Sequence, residues 1–294
     1  MKQRGVAFIV VLWLLALVTI LLGSFAVLAR SESLQARHLF DTTQARYAAE
    51  AGINRAVYAL AAPDPLARWA PDGRSYSFEY AGADIEIQVI DESGKLDINA
   101  AEMTLLEAFF KGSGLEEAAA QALAAAIVDW RDPDDLISIN GAEDAEYAEA
   151  GLLYGPKNAL FDTLSELQQV LGMNHELYRR LAPSLTIHSG MSVPNAAFAP
   201  AEVLAAIPGI EPALVALLVE QRQSYDPALG GTAPTLPDGS PLVAQGGSGT
   251  YTVRSRATLA NGAWTELDTT VRLGGAALSG LAYTVLRWQE GEPL

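Results

Sequence analysis

The chain has 294 residues, half of them hydrophobic, so it can bury one sizeable core and a second one. Its formal net charge is −16, and no Asp or Glu occurs in the first thirty residues, which leaves 16 basic and 35 acidic residues in the remainder. An acidic body argues against nucleic acid as a partner, because phosphates attract Lys and Arg. The absence of Cys excludes disulfides, thiolate zinc sites and cysteine nucleophiles.

An uncharged segment of twenty-four residues, Val6 to Ala29, follows a short lead that contains Lys2 and Arg4. As a helix rising ~1.5 Å per residue it would span about 36 Å, enough to cross a hydrocarbon core of ~30 Å. The basic lead predicts that the short N-terminus stays in the cytoplasm while the acidic body crosses the membrane. A cleaved signal peptide is the alternative, because Val27 and Ala29 suit a cleavage site, but the apolar run is about twice the usual length.

The helical pattern continues beyond this apolar segment. One stripe recurs at steps of four, four, three and four residues: Ala45, Ala49, Ile53, Ala56 and Leu60. We predict a single helix of about 55 residues, half in lipid and half packed on a globular head, with this stripe as its packing face. The prolines of Pro63–Pro65 should end the helix.

Together these features resemble the type IV pilin and pseudopilin class. A short basic leader ends in Gly5, an uncharged helix begins at Val6, and the sequence QARYAAEAGINRAVYAL continues it. Within that class the chain resembles the large K-type minor pseudopilins of type II (general) secretion systems, and the resemblance covers essentially the whole chain. It implies that prepilin peptidase cuts after Gly5 and methylates the new amine of Val6.

The fifth residue after the implied cleavage point departs from the general pilin pattern. Ordinary pilins carry a Glu there, paired with the terminal amine of a neighbouring subunit, whereas this chain has Val10. Because a carboxylate in lipid needs a partner, its absence suits a subunit that is placed first and has no predecessor. K-type pseudopilins share this missing glutamate and are assigned to the pseudopilus tip. The plainer interpretation is that Val10 makes a better membrane anchor.

Alternating residues predict a β-sheet in two separated parts of the chain. The first part contains Ser75–Gly82 and Asp84–Asp91, and the second begins near residue 250 and has a hairpin signal at Asn261-Gly262. Ala282–Trp288 is predicted to add another strand. The sheet is therefore interrupted by more than 130 residues.

The interruption has the pattern of helices. Two helix–glycine–helix units align at an offset of 37 residues, which pairs Gly172 with Gly209, and the alanine-rich residues 118–130 predict a further helix. The second unit is similar to a helix-hairpin-helix DNA-binding element, but Glu211 would repel phosphate at the turn. We therefore predict no nucleic-acid partner. The K-type resemblance implies such a helical insert, whose bulk would block the addition of another subunit above it.

The predicted fold class is α+β: a long pilin-like N-terminal transmembrane and amphipathic helix packed on an antiparallel sheet, with a large all-α domain inserted into the sheet. The predicted divisions are a leader at 1–5, a transmembrane helix at 6–29, its amphipathic continuation at 30–62, a β head at 72–98 and 246–294, a helical insert at 99–223 and a return loop at 224–245. The Gly and Pro content of the return loop predicts flexibility.

The densest acidic stretch, residues 129–149, carries hard oxygen ligands of the kind that calcium prefers. It is not an EF-hand, because it lacks the glycine and the final glutamate of that loop. A charge run of this type is usually a solvated loop, whereas the K-type resemblance implies calcium binding. The candidate ligands are Asp132, Asp134, Asp135, Glu143 and Asp144.

The sequence assembles no catalytic set, so we expect no enzymatic activity. His38, His175 and His188 lie in no catalytic motif, and paired acids occur only as a general acidic background. A histidine- or acid-dependent hydrolase is the enzymatic alternative.

The resemblance implies a single-pass protein of the bacterial inner membrane with a periplasmic body. Such a subunit would pack against the smaller I- and J-type minor pseudopilins and the major pseudopilin, seed and cap the pseudopilus tip, and help to export folded proteins. The alternatives are a minor pilin of a type IV pilus and a membrane-anchored binding module without a filament role.

Overall fold

The computed structural model describes residues 4–226, 229, 231–244, 246–274 and 282–291, and the side chains of residues 4–6 lie outside that description. The first element is α1 (Arg4–Leu60), a helix of 57 residues. This confirms the predicted single long helix, which ends before the two prolines. Leader residues 1–3 lie outside the described residues.

The remaining helices and strands follow in chain order. They are β1 (Asp72–Tyr80), β2 (Ala83–Asp91), β3 (Leu96–Asp97), α2 (Met103–Gly112), α3 (Glu117–Arg131), α4 (Asp144–Glu149), α5 (His175–Leu181), β4 (Leu185–Thr186), α6 (Ala201–Leu204), α7 (Val215–Ser224), β5 (Thr250–Leu259), β6 (Trp264–Leu273) and β7 (Tyr283–Glu290). Short 3₁₀ turns lie at Glu92–Gly94, Leu164–Gln169, Ala182–Ser184 and Pro212–Leu214.

The head is a five-stranded antiparallel sheet with the strand order β1-β2-β5-β6-β7. Strands β2 and β5 are neighbours in the sheet, paired from Ala83 with Leu259 to Asp91 with Tyr251, although residues 92–249 separate them in the chain. Gly262 has φ +86, as the turn of the β5–β6 hairpin requires, so the Asn261-Gly262 signal located that turn. The predicted α+β fold is confirmed.

The C-terminal half of α1 packs on one face of this sheet. The predicted stripe from Ala45 to Leu60 is buried there, together with Ile85, Ile87 and Val253 of the strands. Gly52 lets the helix approach closely, because a Cβ added at this position would lie 2.1 Å from Oγ of Ser255 on β5. The small side chains of the stripe therefore set the short distance between helix and sheet.

The insert has a hydrophobic core of its own. Its largest fully buried side chains include Phe109, Phe110 and Ile127, from helices α2 and α3. The predicted helix at 118–130 corresponds to α3. In the two repeated units, Gly172 and Gly209 both have positive φ values, +89 and +87, so both units turn at their aligned glycine.

The return from insert to sheet packs against the core of the insert. Leu242 is fully buried in the insert core, and Thr235 forms a β-bridge with Pro241 just before it. Residues 227, 228, 230 and 245 lie outside the described residues. The sequence predicted a flexible loop here, and the Leu242 contact anchors its second half to the insert.

Candidate functional site

The predicted processing junction, Gly5–Val6, lies in the first turns of α1. Every side chain from residue 7 to residue 40 is exposed, Val10 among them. Its most apolar 18-residue window has a mean hydropathy of 2.7. Length and composition therefore allow this helix to cross a membrane, a test that signal sequences pass as well.

The predicted packing stripe of α1 is buried within the chain. Ala45, Ala49 and Ala56 are fully buried, and Ile53 and Leu60 are nearly so, all against the sheet. The stripe thus packs the helix on the head of the same chain. It leaves no surface for another subunit, so any contact with a partner must use a different face of α1.

The acidic loop is organised by a carboxylate that precedes the candidate ligands. Asp129, in the last turn of α3, is fully buried and accepts hydrogen bonds from the backbone N–H groups of Ser138 (3.2 Å) and Ala142 (2.8 Å). Gly141 fits against it, because a Cβ there would lie 1.9 Å from Asp129 Oδ2. Asp129 therefore holds the loop against the end of α3 and brings the acidic residues of the loop close to one another.

The candidate ligands lie around this loop. Asp135 Oδ1 accepts a hydrogen bond from Nδ2 of Asn158 (2.8 Å), which ties residues 155–160 to the loop. Asp144 lies tightly against Gly155, where a Cβ would come within 1.7 Å of its Oδ1. Asp134 is exposed and caps the backbone N–H of Leu136 (2.9 Å).

Several buried oxygens at this loop have no hydrogen-bond partner among the described residues. They are Asp132 Oδ1, Glu143 Oε1 and the amide oxygen of Asn158. Burial raises the pKa of Glu143 to about 7, and the neighbouring charges of Asp129, Asp132, Asp135 and Asp144 act in the same direction. Burial, followed by the charges of Asp134 and Asp129, also raises the pKa of Asp132. The loop therefore concentrates uncompensated negative charge.

These residues fit a calcium site in two respects: their donor atoms are oxygens, and several of the oxygens are buried without a hydrogen-bond partner among the described residues. Carboxylate and amide oxygens are the ligands that Ca²⁺ prefers. Within the described residues, however, no group of three His, Cys, Asp or Glu side chains is arranged to hold a metal ion as it stands. The loop thus provides oxygen donors and negative charge. To coordinate an ion together, these side chains would have to change their conformations.

A second buried polar cluster joins the head to the insert. Glu92, just after β2, forms an ion pair with Lys95 (2.7 Å) and accepts hydrogen bonds from Thr186 of the insert and Thr252 of β5 (2.6 Å). All four residues are buried. The charged residues of this segment, Asp91–Ala101, are of types that are normally exposed, so their spacing in the sequence does not reveal that the connection is buried.

A buried arginine makes another junction between insert and head. Arg222 of α7 donates hydrogen bonds to the carbonyls of Ala196 (2.8 Å) and Ala199 (3.0 Å), and its Nε lies 3.8 Å from Asp72 of β1. Sequence reasoning missed this residue, because an arginine in a short helix ordinarily lies on the surface.

Residues of the head and the insert also line a cavity of about 380 Å³. His188 lines it together with Glu92, Lys95 and Arg254. Burial lowers the pKa of His188, which favours the neutral ring. His175 lies elsewhere, exposed on α5, with its ring 2.9 Å from Gln168.

Comparison with known proteins finds a family match in the middle of the chain. Residues 86–190 match the family model described as type II secretion system (T2SS), protein K. The resemblance to K-type pseudopilins is confirmed. The matched region begins in β2, and it contains both the Glu92–Lys95 pair and the acidic loop.

The relatives carry the same description, type II secretion system protein K. The protein from Pectobacterium carotovorum subsp. carotovorum is 30% identical over 205 residues, and that from Klebsiella pneumoniae is 28% identical over 204 residues, each match covering 62% of both chains. A protein from Dickeya chrysanthemi is 37% identical over 68 residues, 23% of this chain and 18% of the relative. The chain thus spans somewhat less than two thirds of the length of the first two relatives and less than a fifth of the third.

The fold is similar to that of a chain in the crystal structure of the GspK-GspI-GspJ complex from the enterotoxigenic Escherichia coli type 2 secretion system. The TM-score is 0.55 at 19% identity, over 90% of this chain and 99% of that chain. The likeness concerns the α+β fold of the chain.

Proposed function

We propose that this chain is a minor pseudopilin of a type II secretion system, held in the bacterial inner membrane by α1 with its head and insert in the periplasm. The observation that carries the proposal is the combination, in one chain, of a protein K domain with an unburied apolar helix at the N-terminus. Its role is structural assembly, and catalysis has no part in it.

In this proposal the chain is the first subunit placed, and it caps the tip of the pseudopilus. Val10 supports this, because a subunit without a predecessor meets no terminal amine and a glutamate there would be unpaired in lipid. The insert supports it as well, since residues 92–249 add a second folded body to the head, and its bulk would hinder the addition of a further subunit.

The proposed partners are other pilin-like subunits. The matching solved structure comes from a complex of GspK with GspI and GspJ, which suggests the smaller I- and J-type pseudopilins as neighbours of this chain. The other proposed partners are the major pseudopilin, which would lie below these subunits, prepilin peptidase, which would cut at Gly5–Val6, and the secreted proteins. The helix α1 supports a membrane location common to the pilin-like partners.

Calcium binding at the acidic loop is also part of the proposal. Asp132, Asp135, Glu143 and Asp144 would hold the ion, with Asn158 as an amide ligand and Asp134 at the loop margin. A bound Ca²⁺ would neutralise the carboxylates and connect α3 to α4. The unpaired oxygens of Asp132, Glu143 and Asn158 support the assignment, because a cation would satisfy all three.

The mass of the N-terminal peptide from the protein in its own membrane tests the proposal. We expect a chain that begins at N-methylated Val6, together with loss of secretion in a Gly5→Val variant that cannot be processed. Gly23→Val is the matched control, because Gly23 lies in the same helix with open space around it. This control should be processed and should support secretion.

Other N-termini would lead to other conclusions. A chain that begins at Met1, with normal secretion in Gly5→Val, would leave a membrane-anchored binding module and refute the pseudopilin role. A chain that begins at Arg30 would be a secreted protein. Correct processing combined with loss of pili rather than of secretion would point to a minor pilin of a type IV pilus.

A further inference from the structure

Large aliphatic side chains are exposed on two loops of the insert. They are Leu136, Ile137 and Ile139 in the loop between α3 and α4, and Leu153 and Leu160 in the loop after α4, and together we call them the loop patch. Among the described residues beyond α1, seven large aliphatic side chains are more than half exposed, and five of the seven belong to the loop patch. Single exposed apolar residues need no explanation, whereas a concentration of this kind marks an interaction surface.

The two loops that carry the patch are bonded to each other. Oδ1 of Asp135 in the first loop accepts a hydrogen bond from Nδ2 of Asn158 in the second (2.8 Å). Leu136 follows Asp135 directly, and Leu160 lies two residues after Asn158. The apolar residues of the two loops therefore belong to one region of the surface.

The second loop is also held against α4. The ring of Tyr154, the residue after Leu153, lies 5.8 Å from the ring of Tyr147 in α4. Gly155 fits against Asp144 at the start of the same helix, where an added Cβ would come within 1.7 Å of its Oδ1. These contacts fix the backbone on either side of Leu153, while its side chain stays exposed.

The first loop is held with its apolar side chains outward. The backbone N–H of Ser138 donates to the buried carboxylate of Asp129 (3.2 Å), and Ser138 is partly buried. Ile137 and Ile139, on either side of it, are exposed. Loops ordinarily turn isoleucine inward and serine outward, because burial of apolar side chains is favourable. Here the hydrogen bonds to Asp129 oppose that arrangement and keep the isoleucines at the surface.

The border of the loop patch is acidic. Residues 132–156 contain seven Asp or Glu and no Lys or Arg, a charge of −7 that one bound Ca²⁺ would reduce only to −5. Glu149, at the end of α4, is exposed and is not one of the candidate calcium ligands. Lys157, the next cation along the chain, is paired with Asp162 (2.7 Å) and Glu166 (2.8 Å). The apolar surface therefore has a negatively charged edge.

This edge determines which partner fits the loop patch. Charge complementarity favours a protein surface whose apolar residues are flanked by Lys or Arg. A second copy of this chain fits less well, because the same acidic border would meet itself. A membrane that contains anionic lipids would repel the border as well.

We propose that the loop patch is a docking surface for a second protein that presents apolar residues bordered by Lys or Arg. The inference goes beyond the proposed function, in which the insert contributes bulk and a calcium site, because it gives the insert a binding surface of its own. Burial of the exposed aliphatic side chains would provide affinity, and the acidic border would select the partner and accelerate association.

Photo-cross-linking in the native bacterium locates the contact. p-Benzoylphenylalanine would replace Ile139 or Leu153 in the full-length chain, and the cross-linked peptides would be identified by mass. Leu217 is the matched control position, because it is an exposed leucine of α7 in the same insert. We expect about tenfold more product at Ile139 and Leu153 than at Leu217, with partner peptides that contain apolar residues and Lys or Arg.

Several results of this experiment would overturn the inference. Equal yields at the three positions, or no product at any of them, would show that the loop patch is not a docking surface. A product with the mass of two copies of this chain, cross-links to lipid alone, or an acidic partner peptide would assign the patch to a different occupant.

The partner identified in this way is then purified and its affinity measured. Ile139→Ser with Leu153→Ser, in the full-length chain in detergent, should raise the dissociation constant about tenfold, whereas Leu217→Ser should not change it. All three side chains are exposed, so these variants should stay folded. Glu149→Lys should weaken binding about threefold in ~0.05 M salt and less in ~0.5 M salt, where charges are screened. Equal dissociation constants for the double variant and the Leu217 control would contradict the docking surface.

N-terminal mass and secretion measured in the same strains separate this inference from the proposed function. Correct processing and normal dependence of secretion on Gly5, without cross-links specific to Ile139 and Leu153, would refute the docking surface alone. Specific cross-links in a chain that is unprocessed and dispensable for secretion would refute the proposed function alone.

Discussion

The head and the insert are stabilised by different means. In the head, regular strands satisfy the backbone, and the cohesion comes from apolar side chains such as Ile85, Ile87 and Val253 packed on α1. In the insert and its junctions, buried carboxylates bind loop backbone. Asp129 accepts from Ser138 and Ala142, and Asp97 accepts from the N–H groups of Ser189 (3.0 Å) and Gly190 (2.7 Å). In these short elements, buried carboxylates thus satisfy backbone N–H groups of the kind that strand pairing satisfies in the sheet.

The largest expected effect is at the junction between the two regions. Glu92→Gln should lower the free energy of unfolding by about 3–5 kcal/mol, because it leaves the Lys95 ammonium buried without its counter-charge. Urea unfolding of the full-length chain in detergent measures it. Glu86→Gln, on the exposed face of β2, is the control and should change stability by less than ~0.5 kcal/mol.

The same pair predicts an acid sensitivity. Burial alone would raise the pKa of Glu92, but the charge of Lys95 and the hydrogen bonds from Lys95, Thr186 and Thr252 outweigh it, so the pKa is lowered from its ordinary value of 4.5. A lowered pKa in the folded state contributes stability above pH 4.5, and this contribution is lost as the pH falls through the folded-state pKa. Glu92→Gln should lack this part of the pH dependence. Equal acid sensitivity in both proteins would contradict the assignment.

Calcium should stabilise the insert and leave the head unchanged. At an ion concentration ~100 times the dissociation constant, the gain is about 2.7 kcal/mol, and hydrogen exchange should slow at the amides of residues 129–149 but not in β5 and β6. Glu143→Gln should remove the response to calcium and to its chelation. Glu149→Gln, exposed at the end of α4, should retain it. Equal protection of head and insert would place the ion elsewhere.

The smallest expected effect concerns backbone contact at the junction. Gly94→Ala should cost about 1–3 kcal/mol, because the added Cβ would lie 2.4 Å from the backbone carbonyl carbon of Phe198 in the insert. Gly112→Ala, in α2 with open space around it, should be neutral or stabilising by up to ~1 kcal/mol. Equal midpoints of thermal unfolding for the two variants would show that the backbone around Phe198 does not pack tightly against Gly94.

Sequence patterns predicted the parts that regular periodicity governs. Steps of three and four residues located α1 and its packing stripe, strict alternation located β1 and β2, and Asn261-Gly262 located the β5–β6 hairpin. The residues of the junction escaped prediction, because Glu92, Lys95 and Arg222 belong to residue types that are normally exposed. Their burial depends on partners far away in the chain, such as Thr252 and Asp72.

The acidic loop could be predicted only in part. Its composition identified the candidate ligands Asp132 to Asp144, but not Asp129 as the residue that shapes the loop, nor Asn158 as its distant neighbour. The fold of the insert as a whole positions both the Asp129 carboxylate, which accepts from backbone N–H groups, and the neighbouring loop that contains Asn158. Spacing along the chain contains no record of that contact.

The amino-acid sequence by itself determined the long apolar helix, its two-sided continuation, the strands and the excess of negative charge, because each depends on residues that are neighbours in the chain. Only the tertiary structure decided which face of α1 the head covers and which aromatic residues stay exposed on the other. It also decided which charged residues are buried between head and insert. The physical reason is that burial and pairing are properties of residues brought together across the 158 positions between β2 and β5, and no local pattern encodes them.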